Sequence, residues 1–173
     1  MIKRAIEERI HSALAKKKAV TIMGPRQVGK STLADAIIPK DAKVLEINGD
    51  STDVQTMFVN VDEAKMKVLI GNKNFLFVDE AQKIENVGNM LKIVAEKFKD
   101  VKIIVTGSSA FKLAEAVNES LTGRKREFRL YPLTFKEMAD DTSVLEESRM
   151  IDHRLIYGYY PEVVTSPGDE KEV

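Results

Sequence analysis

The chain reads as an α/β protein built on a parallel sheet with helices on both faces. Three observations carry that reading. Short apolar, β-branched runs alternate with helical stretches along most of the 173 residues. Two of these runs, "FLFV" (Phe75 to Val78) and "KIIVT" (Lys102 to Thr106), are continuous rather than alternating, as expected of strands buried on both faces. The glycine-containing stretch "GPRQVGKST" (Gly24 to Thr32) lies between such a run and a helix.

The elements follow in order. Ile2, Ile6, Ile10, Ala13 and Leu14 recur at helical spacing and predict an N-terminal docking helix with a solvated Lys16-Lys17-Lys18 end. Ala19 to Met23 is the first strand. The helix after the glycine loop runs from Ser31 to Ile38 and is stopped by Pro39. Lys43 to Asn48 is a second strand, and Gly49-Asp50-Ser51 is a turn in which Asp50 or Ser51 caps the next helix. Asp53 to Leu69 reads as one or two helices. After "FLFV", Asn86 to Lys97 is helical, with Val87, Met90, Leu91, Val94 and Phe98 on one side. "SSAFKLAEAVNESL" opens another helix with a serine cap, "REFRLYPL" (Arg126 to Leu133) is a strand closed by Pro132, and Thr134 caps a helix beginning at Phe135. Five strands, each separated by helix, predict the parallel sheet.

Composition narrows the class. The length suits one domain with a proper core. Lys plus Arg and Asp plus Glu both number 27, so no global field favours nucleic acid or membrane. Without cysteine there is no disulfide framework and no thiolate metal site, which suits a reducing, cytoplasmic setting. No apolar run approaches membrane-spanning length, and the N-terminus lacks the apolar core of a signal peptide. His11 and His153 have no ligand-like spacing and read as surface residues. Tyr157, Tyr159, Tyr160, Val163 and Val164 have no evident core to join. Residues 165–173 therefore read as a tail or as the truncated start of a further region.

The glycine stretch carries the chemistry. Gly, four residues, then Gly-Lys-Ser between strand and helix is the P-loop, or Walker A, pattern. A triphosphate is held best by converging backbone N–H groups and the positive end of a helix dipole. Gly24 and Gly29 free the backbone for that approach, with Pro25, Arg26, Gln27 and Val28 forming the rest of the loop. Lys30 offers an ammonium to the β- and γ-phosphates, Ser31 a hydroxyl to Mg²⁺, and Thr32 faces the α-phosphate.

Hydrolysis also needs a carboxylate near the metal and a group that orients water. "NFLFVDEAQ" supplies both. Asp79, ending a buried strand, is the expected Walker B ligand of Mg²⁺, and Glu80 is placed to polarise the attacking water. In "VTGSS", Ser108, with Thr106 as second choice, is the polar group expected to contact the γ-phosphate or the water. The alternative is a helix cap at Ser108 or Ser109. Arg124, in the loop "LTGR", reads either as an arginine finger for a neighbouring copy or as a surface residue, which leaves self-association open. The GTPase signatures Asp-x-x-Gly and Asn-Lys-x-Asp are not met by Asp79-Glu80-Ala81-Gln82 or Asn72-Lys73-Asn74-Phe75, so ATP is favoured.

Together "GPRQVGKST", "FVDEAQ", "VTGSS", "LTGRKREFRLYPLTFKEM" and "YGYYPEVV" resemble the bacterial and archaeal AAA+-superfamily ATPases that carry a C-terminal domain of unknown function. The resemblance spans about Ile2 to Val164 and implies an AAA+-like core over residues 1–164 with strand order 5-1-4-3-2. It implies Lys30 and Ser31 as Walker A lysine and metal ligand, Asp79 and Glu80 as the Walker B pair, and Ser108 as the sensor. The sequence is expected to depart from the family's pattern in one way, by lacking the helical lid with its sensor arginine and the C-terminal domain. The function expected is binding and hydrolysis of Mg-ATP, coupled to a conformational change. A nucleotide-gated binding module with little turnover and a small-molecule kinase are the alternatives. A DNA or protein partner is left unidentified.

Overall fold

Five parallel strands form one sheet in the computed structural model, which describes residues 1–108, 117 and 120–166. They are β1 (Ala19–Met23), β2 (Val44–Asn48), β3 (Phe75–Asp79), β4 (Lys102–Gly107) and β5 (Lys125–Arg129), in the spatial order β2-β3-β4-β1-β5. That is the expected 5-1-4-3-2 order. β1 lies at neither edge, and all five of its residues are buried. Register aligns Met23 with Gly107 on one side and with Arg129 on the other, so the exits of β1 and β4 meet.

The apolar runs alternate beneath their continuous surface, because successive strand side chains point to opposite faces. Val20, Ile22, Phe75, Phe77, Ile104 and Phe128 face one core, with Ile10 and Leu14 of α1 (Glu7–Ala15) and Leu33 and Ile37 of α2 (Lys30–Ile37). Met23, Leu76, Val78, Ile103 and Val105 face the other. That core is completed by Phe58 of α3 (Thr52–Phe58), Met66 and Ile70 of α4 (Glu63–Ile70), and Met90, Leu91 and Val94 of α5 (Val87–Lys97). Two buried layers on one sheet are what a strand apolar on both sides requires.

Several boundaries differ from the sequence reading. Asp53 to Leu69 divides into α3 and α4, and Asp62 caps the second through a bond from the Lys65 N–H, 2.8 Å. Ser51 occupies the N-cap position of α3 without a side-chain cap. β5 ends at Arg129, not Leu133, although Leu130 N–H still donates to Met23 O, 2.7 Å. The helix expected over 108–121 lies largely outside the described residues.

Beyond β5 come α6 (Phe135–Asp141), α7 (Val144–Arg149), α8 (Ile151–Tyr157) and α9 (Pro161–Thr165). Thr134 caps α6 through a full capping box with Glu137. The tyrosine-rich stretch does find a core. Val163 is buried, Tyr160 packs on the α1–α2 side of the sheet, and Tyr159 accepts the Leu133 N–H at 2.8 Å. His153 is half-buried against Tyr157, with ring centroids 4.7 Å apart, so it is not a surface residue. α9 closes on Thr165, and residues 167–173 lie outside the described residues.

Candidate nucleotide site

The two signature segments meet where β1, β3 and β4 end. α2 starts on Gly29, which has φ 86°, a backbone setting that glycine adopts without the cost a Cβ brings. Gly24 is required for a different reason from the one the pattern suggests. A Cβ there would lie 2.2 Å from the carbonyl oxygen of Leu130, so the glycine makes room for the chain leaving β5. Gln27, inside the loop, also holds a positive φ of 63°.

Lys30 is 6% exposed. Its Nζ donates to the carbonyl of Pro25 at 2.8 Å and lies 3.7 Å from Glu80 Oε1. Ser31 Oγ donates to Asp79 Oδ2 at 2.7 Å. The second Asp79 oxygen accepts from the Thr106 hydroxyl and, at 3.1 Å, from the Glu80 N–H. Thr106 thus holds Asp79, and Ser108 holds Glu80, since Ser108 Oγ donates to Glu80 Oε2 at 2.7 Å. The two polar groups weighed for one role in the sequence therefore serve two different carboxylates.

Glu80 sits at φ 45°, a left-handed conformation that costs a residue with a Cβ roughly 1–2 kcal/mol. Strain of this kind collects at functional sites. Burial alone would raise the Glu80 pKa. Hydrogen bonds from Gln82 and Ser108, and the Lys30 charge, outweigh it and hold the group below the ordinary glutamate value. Glu80 is therefore a carboxylate at neutral pH.

Gln82 was missed by the sequence reading. It follows β3 on a 3₁₀ turn (Ala81–Lys83), donates through Nε2 to Glu80 Oε2, and reaches Ser108 Oγ at 3.2 Å. Its Oε1 is buried without a hydrogen-bond partner among the described residues. The signal in the sequence was only a glutamine two positions after a glutamate.

Two hollows flank the loop. One, of about 470 Å³, is polar and lined by Arg26, Gln27, Lys30, Ser31, Glu80 and Glu162 among others. The other, of about 240 Å³, is lined by Ile2, Arg4, Leu33, Leu133, Pro161 and Thr165 among others. Gly29, Thr32 and Pro161 border both, so the two hollows adjoin across the start of α2. The stretch from 135 to 165, expected to contribute no lid, therefore brings α9 to the rim of the site.

Arg124 is not brought to this site. Its carbonyl accepts the Ala19 N–H at 2.9 Å, at the opposite end of β1 from the glycine loop, and its guanidinium pairs with Glu96 at 2.8 Å. Five strand residues at about 3.3 Å each separate the two ends of the sheet. Ser109 lies outside the described residues.

Among the described residues no cluster of three or more His, Cys, Asp or Glu could hold a metal alone. Ser31 and Asp79 instead offer two hard oxygens, a donor set that suits Mg²⁺, which completes its shell with phosphate and water. No helix among the described residues is long and apolar enough to cross a membrane.

Comparison with known proteins bears on the fold and the family. A protein 26% identical over 175 residues, from Methanocaldococcus jannaschii, covers 92% of this chain. One from Haemophilus influenzae is 32% identical over 104 residues, 58% of this chain. Both are described as uncharacterized, and the chain spans only 39% and 26% of their lengths. Among solved structures, the Walker-type ATPase of Pyrococcus abyssi superposes with a TM-score of 0.64 at 16% identity, over 99% of this chain and 69% of that one. A signal-transduction ATPase with a tetratricopeptide repeat sensor, from Pyrococcus horikoshii, gives 0.62 at 14% identity, over 95% and 29%. These likenesses establish the P-loop NTPase fold. A family described as "AAA domain" matches residues 16–139, and with most of its length covered the chain belongs to that family, whose membership supports nucleotide binding.

Proposed function

We propose that the chain binds Mg-ATP and hydrolyses it to ADP and phosphate. One observation carries the reading. The Ser31–Asp79–Thr106 set and the Lys30–Glu80–Ser108 set converge beside the glycine loop, one suited to a metal and the other to water. The loop amides and Lys30 would hold the phosphates in the polar hollow, with Gly24 to Thr32 acting as Walker A. The adjoining hollow would take the base against Ile2, Leu33, Leu133 and Pro161. Ser31 and Asp79 of Walker B would hold Mg²⁺. The ion, when bound, neutralises charge on the β- and γ-phosphates.

Glu80, kept ionised, accepts a proton as the water oxygen bonds to the γ-phosphorus and the bond to the bridging oxygen breaks, leaving ADP. Gln82 supports Glu80 through Nε2, which holds the carboxylate in place for the water. Because α9 borders both hollows, occupancy bears on α9, and this is the route by which binding changes conformation.

A second reading, a nucleotide-gated module with little turnover, is favoured by one contact. Lys30 and Glu80 face each other at 3.7 Å, so both working groups are engaged with one another. Phosphate release by the wild type, with Lys30→Ala as the blank, separates the two. Turnover above the blank supports the ATPase. Tight binding of ATP with release at the blank level supports the gated module.

A further inference from the structure

The first residues of the chain reach the phosphate loop from behind. Arg4 is 7% exposed, and its guanidinium is divided among three segments. Nη1 donates to the carbonyl of Val28 at 2.9 Å, Nη2 to the carbonyl of Tyr131 at 2.6 Å, and Nε to Glu137 Oε1 at 3.2 Å. Glu137 is held in turn. Its Oε1 also accepts the Ala5 N–H at 2.8 Å, and its Oε2 accepts the Thr134 N–H at 2.9 Å. Nothing in the amphipathic pattern of the N-terminus foretells this, because the partner Glu137 stands 133 positions away.

Val28 directly precedes Gly29, where the backbone turns into α2. A loop that cradles phosphate must aim its N–H groups at the anion, and this requires its carbonyls to be satisfied elsewhere. A buried guanidinium is stable only with its donors matched, so it is a demanding and well-defined partner for such a carbonyl. We propose that Arg4 is a positioning residue of the nucleotide site. It holds the Val28 carbonyl away from the phosphates, and through Glu137 it ties the shape of the loop to the N-terminal segment and to α6. The proposal rests on the nucleotide-binding reading above.

The test measures affinity for a fluorescent ATP analogue with Mg²⁺, together with melting temperature, in the wild type, Arg4→Ala, Arg4→Lys and Leu91→Ala. Arg4→Ala is expected to weaken binding at least about tenfold, the scale of one charge-assisted hydrogen bond. Arg4→Lys keeps the charge but cannot bridge Val28 and Glu137 together, and it restores only part of the affinity. Leu91→Ala, in the core under α5, lowers the melting temperature and leaves affinity within about twofold, as separated sites do.

A folded Arg4→Ala protein that binds like the wild type overturns the proposal. So does a Leu91→Ala protein that loses as much affinity. Should Arg4→Ala fail to fold, the wild type decides through linkage. Nucleotide must then slow hydrogen exchange at the Ala5 amide, and unchanged exchange overturns the proposal. A wild type that binds no nucleotide defeats the functional reading itself, which is a separate result.

Discussion

Ser31 donates its hydroxyl to Oδ2 of Asp79 at 2.7 Å, although the two stand 48 positions apart. Each lies where its element places it, Ser31 in the first turn of α2 and Asp79 at the last position of β3. The parallel sheet brings both to the same edge. The pair joins a hydroxyl and a carboxylate with the hard-oxygen character Mg²⁺ requires.

Thr106 steadies that pair, because its hydroxyl donates to the other Asp79 oxygen and the residue is fully buried. Replacing it with valine keeps the shape and removes the donor. Thr106→Val is expected to raise the Mg²⁺ concentration needed for half-maximal turnover about 10–100-fold, the usual effect of losing a group that orients a ligand. A magnesium titration of phosphate release checks it.

Glu80 gives a pH prediction. Its folded pKa lies below the ordinary glutamate value because hydrogen bonds and Lys30 outweigh burial. A base with a lowered pKa stays competent as pH falls from 7 and is lost only when protonated. Turnover should therefore be insensitive to this group through neutrality and should fall on the acid side. In Ser108→Ala a bond to the charged form is gone, so the acid limb should move to higher pH. The profile of kcat against pH reads both.

Glu137 gives a stability prediction. Burial would raise its pKa, but the Ala5 and Thr134 amides and the Arg4 guanidinium lower it further than burial raises it. A depressed folded pKa means stability that is present above the unfolded value, about 4.3, and is lost as pH falls through the folded one. Glu137→Gln should thus be less stable than the wild type at pH 7, with the gap narrowing in acid. Urea unfolding at several pH values measures it.

Gly24→Ala should destabilise the fold by about 1–3 kcal/mol, the cost of forcing an atom into occupied space. Its Cβ would stand 2.2 Å from a backbone oxygen of Leu130, which has no flexible end to swing away. Thermal unfolding compared with the wild type tests this.

What was legible in the sequence was whatever depends on neighbours along the chain. β1 was read to the residue because a short, mostly apolar and β-branched run ends at a glycine loop, and "FLFV" was read because only a doubly covered strand is apolar throughout. Lys30, Ser31, Asp79 and Glu80 were named because loop and strand end carry them in recognisable order. The remainder depends on distant contacts. Nothing local in the sequence marks Arg4 or Gln82, and Pro161 lies in a stretch with no evident core to join. Arg124 reads as a finger for a neighbouring copy or as a surface residue, and the register of β5 on β1 sets it beside Ala19, at the far end of the sheet from its own glycine loop.

In the proposed mechanism Glu80 serves the attacking water and not the binding of nucleotide. The most direct measurement compares ATP affinity and phosphate release in the wild type and Glu80→Gln. Affinity is expected to be kept and turnover to fall about 10²–10⁴-fold, the scale of a lost general base. Equal turnover in the two proteins would contradict that role.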